Sequence, residues 1–370
     1  WVRERAAEAL GKLGQTKEAA QAWLALARDE RVEWRVRKRA AEALSELGRD
    51  EEAAPILLAL ARDHQVEWEI RLSALIALGR LGRAEEAAFI LLALARDEKL
   101  DGWVRESAAR VLGELGRAED LLALARDERV ERWVRERAAE ALGKLGQTKE
   151  TAQAWLALAR DKKVDDWMRL RAAGALGELG RAKEAAQAWL ALARDERVDE
   201  VVRLRAAEAL GRLGRAEEAA SILLALARDE RVDERVRLCA AGALGRLGRA
   251  DEAAPILLAL ARDKKLDWRV RLDAAGALGG LGRAEEAIQA WLALASDEQV
   301  DEWVRKRAAG ALDELGRAEE AVPILLALAR DEGEDGGVRE CATEALGKWA
   351  DARVLPELER IAGQDENEGV

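Results

Sequence analysis

Residues 36–48 read Val-Arg-Lys-Arg-Ala-Ala-Glu-Ala-Leu-Ser-Glu-Leu-Gly, and the start of this stretch recurs along the chain. An apolar residue, an Arg, two variable residues and an Ala occur eleven times, 34 residues apart with one exception. The apolar residues are Val2, Val36, Ile70, Val104, Val134, Met168, Val202, Val236, Val270, Val304 and Val338. Units this short cannot bury a core alone, so they must stack on one another. The sequence therefore predicts an all-α fold, a right-handed α-solenoid of about ten helix–turn–helix repeats.

Each repeat is predicted to contain two helices. In residues 16–48, the stretch Lys17–Arg28 is helical by propensity, and Asp29–Glu33 forms a loop. The second helix follows over Trp34–Leu47, because its apolar residues form one stripe. A Gly that can adopt positive φ ends each second helix. These glycines are Gly14, Gly48, Gly82, Gly116, Gly146, Gly180, Gly214, Gly248, Gly282 and Gly316.

Acidic residues precede the second helices, where a carboxylate can cap the free N–H groups. The expected caps are Asp101, Asp165, Asp199, Asp233, Asp267 and Asp301, whereas Glu33, Glu67 and Glu131 should cap less well.

The Arg of the recurring stretch is present in every copy, and an equally regular Asp series runs from Asp29 to Asp331. We expect these residues to form a stacked ladder of ion pairs with a structural role. Its first members are Arg37, Arg71 and Arg105 with Asp29, Asp63 and Asp97.

The first helix carries either an Ala-Trp or an Ile-Leu pair at the same place. A large residue beside a small one thus replaces two of middle size, which is typical of a packed core. We therefore interpret Trp23, Trp155, Trp189 and Trp291 as core residues.

The repeats form one predicted domain over 1–370 with irregular parts. Residues 1–14 are half a repeat, so we expect a fragment whose N-terminal part is missing. Stacked repeats fill 15–350, and the repeat at 104–134 lacks four residues, close to one helical turn, which predicts a local change of curvature. A capping helix is expected at 351–363 and a disordered tail at 364–370.

Composition excludes several function classes. The net charge of −11 argues against nucleic acid and anionic lipid as partners, and no apolar run is long enough for a membrane span. The only His is His64, so multi-His metal sites and Ser-His or Cys-His pairs are ruled out. Cys239 and Cys341 lie three repeats apart, too far for a disulfide, and free thiols suit a reducing, cytoplasmic location. We expect no cofactor and no enzymatic activity.

The stretch Asp301-Glu-Trp-Val-Arg-Lys-Arg-Ala-Ala-Gly-Ala-Leu312 resembles the second helix of bacterial HEAT repeats. The period of 34 residues matches tetratricopeptide repeats instead, although most of their signature positions mismatch. Both families imply that the second helix lies on the concave face. Near-identical arrays of this kind resemble the C-terminal sensor arms of bacterial NLR-like signalling ATPases of the STAND class. That resemblance implies an N-terminal ATPase, outside this sequence, through which the protein oligomerises.

Variable residues on the second helix are the candidates for binding a protein or peptide on the concave face. Four successive repeats place a Leu where we expect solvent, and most carry a Gly four residues later, within reach of a partner. The candidate residues are Leu170, Arg171, Gly174, Leu204, Arg205, Leu238, Gly242, Leu272 and Gly276. The alternative is sequence drift or contact between neighbouring helices.

A second candidate is the Trp at the start of the second helix, which either covers loop residues such as Val66 or forms an aromatic row for a partner. The row comprises Trp1, Trp34, Trp68, Trp103, Trp133, Trp167, Trp268 and Trp303.

Taken together, the sequence predicts a non-catalytic recognition module, the sensing arm of a larger signalling ATPase. The alternatives are a general protein-binding scaffold, a designed or consensus-derived array, and an enzyme similar to the HEAT-repeat bilin lyases.

Overall fold

The computed structural model describes residues 1–146, 148–297, 299–314, 318–330, 336–348, 354–356 and 358–360. Within these ranges the chain forms 21 α-helices and no strand, which confirms the predicted all-α repeat fold. The helices are α1 (Val2–Lys12), α2 (Thr16–Arg28), α3 (Trp34–Glu46), α4 (Asp50–Arg62), α5 (Trp68–Arg80), α6 (Ala84–Arg96), α7 (Gly102–Glu114), α8 (Ala118–Arg126), α9 (Arg132–Lys144), α10 (Thr148–Arg160), α11 (Asp166–Glu178), α12 (Ala182–Arg194), α13 (Glu200–Arg212), α14 (Ala216–Arg228), α15 (Glu234–Arg246), α16 (Ala250–Arg262), α17 (Trp268–Gly280), α18 (Ala284–Ala295), α19 (Glu302–Glu314), α20 (Ala318–Arg330) and α21 (Gly336–Lys348).

The helices group into two compact units, Trp1–Ala188 and Trp189–Val370, here called the N-terminal and C-terminal units. The odd-numbered helices are the second helices of the repeats, and the even-numbered ones are the first helices. Within each unit, consecutive helices pack against one another as antiparallel neighbours joined by short loops.

The recurring Ala and Leu of the second helices form the core. Ala40 and Leu44 on α3 are fully buried, as are Ala240 and Leu244 on α15. Trp23, Trp155, Trp189 and Trp291 are also buried, which confirms that these Trp belong to the core. Small Ala side chains let the helices approach closely, and the Leu side chains fill the space between them.

The helix ends largely follow the predicted signals. Nine glycines have φ between 69° and 85° and end the second helices as expected, while Gly316 lies outside the described residues. The side chains of Asp165, Asp199, Asp233, Asp267 and Asp301 accept hydrogen bonds from N–H groups of the following helix. Glu33, Glu67 and Glu131 make no such bond, as predicted. The prediction is wrong for Asp101, whose side chain caps nothing.

The recurring Arg has a role that the sequence did not indicate. Its Nε donates a hydrogen bond to the carbonyl oxygen of the Ala ten residues earlier, near the end of the first helix. This bond is formed by Arg37, Arg71, Arg135, Arg169, Arg203, Arg237, Arg271 and Arg339. Carbonyls at a helix C-terminus have no partner within the helix, so the Arg satisfies one of them in these eight repeats.

The predicted ladder of ion pairs forms only in part. Arg3 pairs with Asp29 at 2.9 Å, and the equivalent pairs Arg135–Asp161 and Arg271–Asp297 join at 2.6 and 2.7 Å. Arg105 instead contacts Glu131.

Arg37 and Arg71, in contrast, form no ion pair within the described part of the chain, so the ladder is not continuous. The Asp side chains close their loops: Asp63 and Asp97 each accept a hydrogen bond from the backbone N–H two residues later.

The shortened repeat loses one turn of its first helix. Helix α8 has 9 residues, whereas α6 has 13. Leu121 and Leu124 of α8 are nevertheless fully buried. The flanking second helices α7 and α9 approach closely: a Cβ atom added to Gly113 would lie 2.9 Å from the Cβ of Ala141. A change of curvature at this repeat stays a prediction.

Residues 351–353, 357 and 361–370, which include most of the predicted capping helix and the whole predicted tail, lie outside the described residues. Cys239 is a free, exposed thiol, and the side chain of Cys341 is not among those described. In the described ranges, no helix has the length and apolar character needed to cross a membrane.

Candidate binding surfaces on the second helices

The candidate residues lie on four second helices. Leu170, Arg171 and Gly174 belong to α11 in the N-terminal unit. The C-terminal unit holds the others: Leu204 and Arg205 on α13, Leu238 and Gly242 on α15, and Leu272 and Gly276 on α17.

The leucines are less exposed than predicted. Leu204 is 5% exposed, so the prediction that it faces solvent is wrong, and Leu170, Leu238 and Leu272 are half-buried. The reason is that this position of the second helix faces the second helix of the next repeat. Lys38, at the equivalent position on α3, donates a hydrogen bond to Ser73 on α5. Contact between neighbouring helices, the alternative left open by the sequence, therefore describes this position better.

The two candidate Arg residues take part in ion pairs of the scaffold. Arg171 forms ion pairs with Glu136 at 2.6 Å and with Glu140 at 3.2 Å, and so joins α11 to α9. Arg205 pairs with Glu208 on its own helix, and Glu208 also forms an ion pair with Arg246 on α15. Both Arg side chains are exposed, yet their charges are already matched by these carboxylates.

Glu136 is the most buried carboxylate of this face. It is 5% exposed, and burial raises its pKa, while the nearby charge of Arg171 acts in the opposite direction. A buried carboxylate with one close ion pair ties two repeats together but is costly to keep charged.

The glycines remain open to a partner. A Cβ atom added to Gly174 or Gly276 would meet no atom within 4 Å, and one added to Gly242 would meet only Arg246 at 3.8 Å. No packing contact therefore requires Gly at these places, although Gly in a helix costs about 0.5–1 kcal/mol relative to Ala. The prediction that these positions allow close approach is consistent with this geometry.

A groove lies between α13 and α15, and Ala243, Arg246 and Leu247 line it on the α15 side. We call it the groove beside Gly242, because Gly242 precedes Ala243 and a Cβ atom added to it would contact Arg246. Its volume is about 390 Å³, its floor is Leu223 of α14, and charged residues Glu208, Arg212 and Arg246 stand at its rim. The N-terminal unit has further grooves of the same kind, among them one of about 660 Å³ over Trp23 and one of about 260 Å³ over Leu57. Sequence reasoning missed these grooves, each of which is lined by two neighbouring second helices and by the first helix between them.

The Trp side chains at the start of the second helices are partly exposed. Trp103, Trp133 and Trp167 on α7, α9 and α11 are 46%, 42% and 54% exposed. Trp34 and Trp68 are half-buried, and the loop residue Val66 beneath this edge is buried. Both proposed roles of the Trp, covering the loops and presenting a surface, thus remain consistent with their positions.

Among the residues that the structure describes, no group of three or more His, Cys, Asp and Glu is arranged to hold a metal ion.

Comparison with protein families gives one family for the whole array. The model that describes HEAT repeats matches seven overlapping segments: residues 1–68, 34–113, 91–177, 153–238, 187–279, 258–336 and 288–370. No curated protein matches the sequence.

Solved structures of other helical proteins are similar to this chain at low identity. A crystal structure of an engineered protein is 18% identical over 90% of this chain and 99% of its own, with a TM-score of 0.38. Human deoxyhypusine hydroxylase is 22% identical over 74% of this chain and 99% of its own, with a TM-score of 0.28. Kap95p, in a structure concerned with its binding to RanGDP, is 15% identical over 91% of this chain and 50% of its own, with a TM-score of 0.48.

Proposed function

Because this chain belongs to the family of HEAT repeat proteins, we propose that it is a non-catalytic scaffold that binds a protein or peptide partner on its second helices. The face involved is the one that the sequence predicts to be concave. The observation that carries the proposal is the groove beside Gly242 in the C-terminal unit, together with the open glycines Gly242 and Gly276.

The chemistry of this surface fits a peptide or helix. The apolar floor at Leu223 can receive an apolar side chain, while Glu208 and Arg246 at the rim can orient polar groups. A partner backbone can approach the helix at Gly242 and Gly276, since no side chain projects there. Half-buried Leu238 and Leu272 add apolar area one turn before each Gly.

Site-specific crosslinking in the producing cells tests this proposal. A photoreactive p-benzoylphenylalanine is placed at residue 242, at residue 276 or at residue 221, the matched control. Ser221 is exposed on the first helix α14, away from the second-helix face. We expect one and the same protein to be crosslinked from residues 242 and 276, and not from residue 221.

The variant Gly242→Trp supplies the second arm of the test. The added ring enters open space, so the fold should persist, but the approach to the groove is blocked and crosslinking from residue 276 should fall at least fivefold. Equal crosslinking from all three positions, or a partner unaffected by Gly242→Trp, would contradict the proposal.

We further propose that the array is the sensing arm of a larger NLR-like signalling ATPase in the cytoplasm. Residues 1–29 and 133–161 differ only at Ala19 and Thr151, and such recent duplication suits a recognition surface that changes quickly. The exposed thiol of Cys239 suits a reducing compartment. Reading the encoding gene tests this: a phosphate-binding GxxxxGK[ST] segment upstream supports the sensing arm, and a gene without one favours a general scaffold.

A further inference from the structure

Three neighbouring repeats of the N-terminal unit present half-exposed Trp side chains at the start of their second helices. They are Trp103, Trp133 and Trp167, the second residue of α7, α9 and α11 respectively. The equivalent residues in the next three repeats are Val201, Arg235 and Arg269, so the fold itself does not require Trp here. We call Trp103, Trp133 and Trp167 the Trp edge.

The structure shows which group these indole rings accept. The guanidinium of Arg132 lies over the Trp133 ring, 4.7 Å from its centre, and Arg71 lies over Trp68 at 3.9 Å. In the C-terminal unit Arg269 covers Trp268 at 4.7 Å. Such cation–π contacts contribute about 0.5–1 kcal/mol when exposed and more when desolvated. In the described part of the chain, no guanidinium covers Trp103 or Trp167 in this way.

Acidic residues lie two positions before each of these Trp in the sequence, and one of them caps no helix. Asp165 holds Arg132 at 3.0 Å and also accepts the N–H of Met168, while Glu131 contacts Arg105. Asp101, two residues before Trp103, is exposed and caps nothing, unlike the five other Asp at this position. Trp103 and Asp101 together thus offer an aromatic face and an unused carboxylate.

We propose that the Trp edge, with Asp101, is a docking site for an extended, arginine-bearing segment of a partner protein. This site is separate from the groove beside Gly242. One Arg of the segment stacks on Trp103 and pairs with Asp101. A second Arg stacks on Trp167, and the intervening chain crosses Trp133, which is already covered in part by Arg132. The net charge of −11 favours a cationic partner segment and disfavours nucleic acid.

The repeat geometry sets the spacing of the two Arg residues. Helix layers pack about 8–10 Å apart, so Trp103 and Trp167 are separated by about 16–20 Å across two layers. An extended chain advances about 3.3 Å per residue, and the two Arg residues should therefore be about five or six positions apart.

Peptide binding measured by fluorescence polarisation tests the proposal with the full chain. The probe is a labelled 14-residue Gly/Ser peptide that carries two Arg six positions apart, at physiological ionic strength. The comparison peptides replace both Arg by Gln, or place them two positions apart. We expect the probe to bind at least tenfold more tightly than the Gln peptide and at least threefold more tightly than the peptide with close Arg residues.

Variants locate the site. Trp103→Ala, Trp167→Ala and Asp101→Asn should each weaken binding of the probe at least threefold, because each removes one contact of an Arg. Trp303→Ala is the matched control: Trp303 is 54% exposed at the same position of a C-terminal repeat, and it should leave binding unchanged. Circular dichroism confirms that each variant is folded.

Three binding results would contradict the proposed site. Equal binding of the probe and the Gln peptide would overturn the proposal, as would variants of the Trp edge that bind like the native chain. A uniform loss in all four variants, with Trp303→Ala included, would show general attraction to an acidic protein and would also overturn it.

Discussion

Helices α7, α9 and α11 of the N-terminal unit and helices α13, α15 and α17 of the C-terminal unit share one scaffold but present different surfaces. In both regions a recurring Arg caps the preceding first helix, as Arg135 does at Ala125 and Arg271 at Ala261, although Arg105 on α7 contacts Glu131 instead. In the N-terminal region the residue before the recurring Val or Met is a half-exposed Trp on all three helices. In the C-terminal region that residue is Val or Arg, and a groove lies between α13 and α15. The exposed surface of the second helices can therefore change at a few variable positions while the hydrogen bonds of the recurring Arg are kept.

The largest expected loss of stability comes from removing the Arg of a buried ion pair, and it tests whether this pair supports both regions. Arg135 and Arg271 each form an ion pair with a buried Asp, and both side chains of each pair are at most 6% exposed. Arg135→Ala and Arg271→Ala should each lower the free energy of unfolding by about 3–5 kcal/mol, because a buried carboxylate loses its closest partner. The loss at Arg271 should be the smaller one, since Asp297 keeps an ion pair with Lys264 at 3.5 Å. Urea unfolding followed by circular dichroism measures both variants.

Arg3→Ala is the control, because the Arg3–Asp29 pair is solvent-exposed and should contribute far less to stability than the two buried pairs. A loss below about 1 kcal/mol for either variant would break the comparison, since it would show that this ion pair stabilises only one of the two scaffolds.

The same pairs predict an acid-sensitive part of the stability. Burial alone would raise the pKa of Asp161 and Asp297, but hydrogen bonds from Arg135 or Arg271 and from a backbone N–H together lower it. A carboxyl group with a lowered folded pKa contributes its full stability above its unfolded pKa of about 3.9 and loses it as the pH falls through the folded value. The two Arg→Ala variants should therefore approach the native chain in stability as the pH falls below about 4.

A pair of glycines should respond in opposite directions. An added Cβ at Gly113 would lie 2.9 Å from the Cβ of Ala141, which cannot move without its helix, so Gly113→Ala should cost about 1–2 kcal/mol. Gly276 has open space, and Gly276→Ala should stabilise the chain by about 0.5–1 kcal/mol through helix propensity. Thermal unfolding of both variants measures the sign, and a stabilising Gly113→Ala would refute the close approach of α7 and α9.

The sequence predicted the fold well, because the signals of the repeat are local. The glycines that end the second helices and the Asp caps depend on one residue each, and buried Trp23 follows from volume compensation with its neighbour. The candidate surface was harder to predict. Leu204 is buried and Arg171 is paired because of contacts with the next repeat, and one repeat read by itself does not show which side its neighbour covers.

The acidic caps give a smaller contrast between the regions. Asp267 accepts a hydrogen bond from the N–H of Arg269 at 2.8 Å, and Asp267→Ala should cost about 1 kcal/mol. Asp101 makes no such bond, so Asp101→Ala should cost no more than about 0.3 kcal/mol. Chemical denaturation of the two variants tests this difference. A cost for Asp101→Ala as large as that for Asp267→Ala would show that Asp101 is a cap after all, and would remove the argument that it is free for a partner.

The smallest expected change in stability concerns one position of the second helix, which is buried in both regions but holds a carboxylate in one and an apolar side chain in the other. Glu136 on α9 and Leu204 on α13 occupy equivalent positions, and each is 5% exposed. Burial raises the pKa of Glu136, so the folded chain binds its proton more readily than the unfolded chain, whose Glu has a pKa of about 4.3. The contribution of Glu136 to stability is therefore greatest below pH about 4.3 and declines as the pH rises through the folded value.

Glu136→Leu should remove this dependence and change the stability at pH 7 by no more than about 1 kcal/mol, because an apolar side chain replaces a carboxylate that is costly to bury. Unfolding free energies of both chains between pH 4 and 8 measure the difference. A strongly destabilised Glu136→Leu variant at pH 7 would show that the ion pair with Arg171 contributes more stability than the burial of the carboxylate costs. This position would then stabilise the N-terminal region by an ion pair and the C-terminal region by apolar packing.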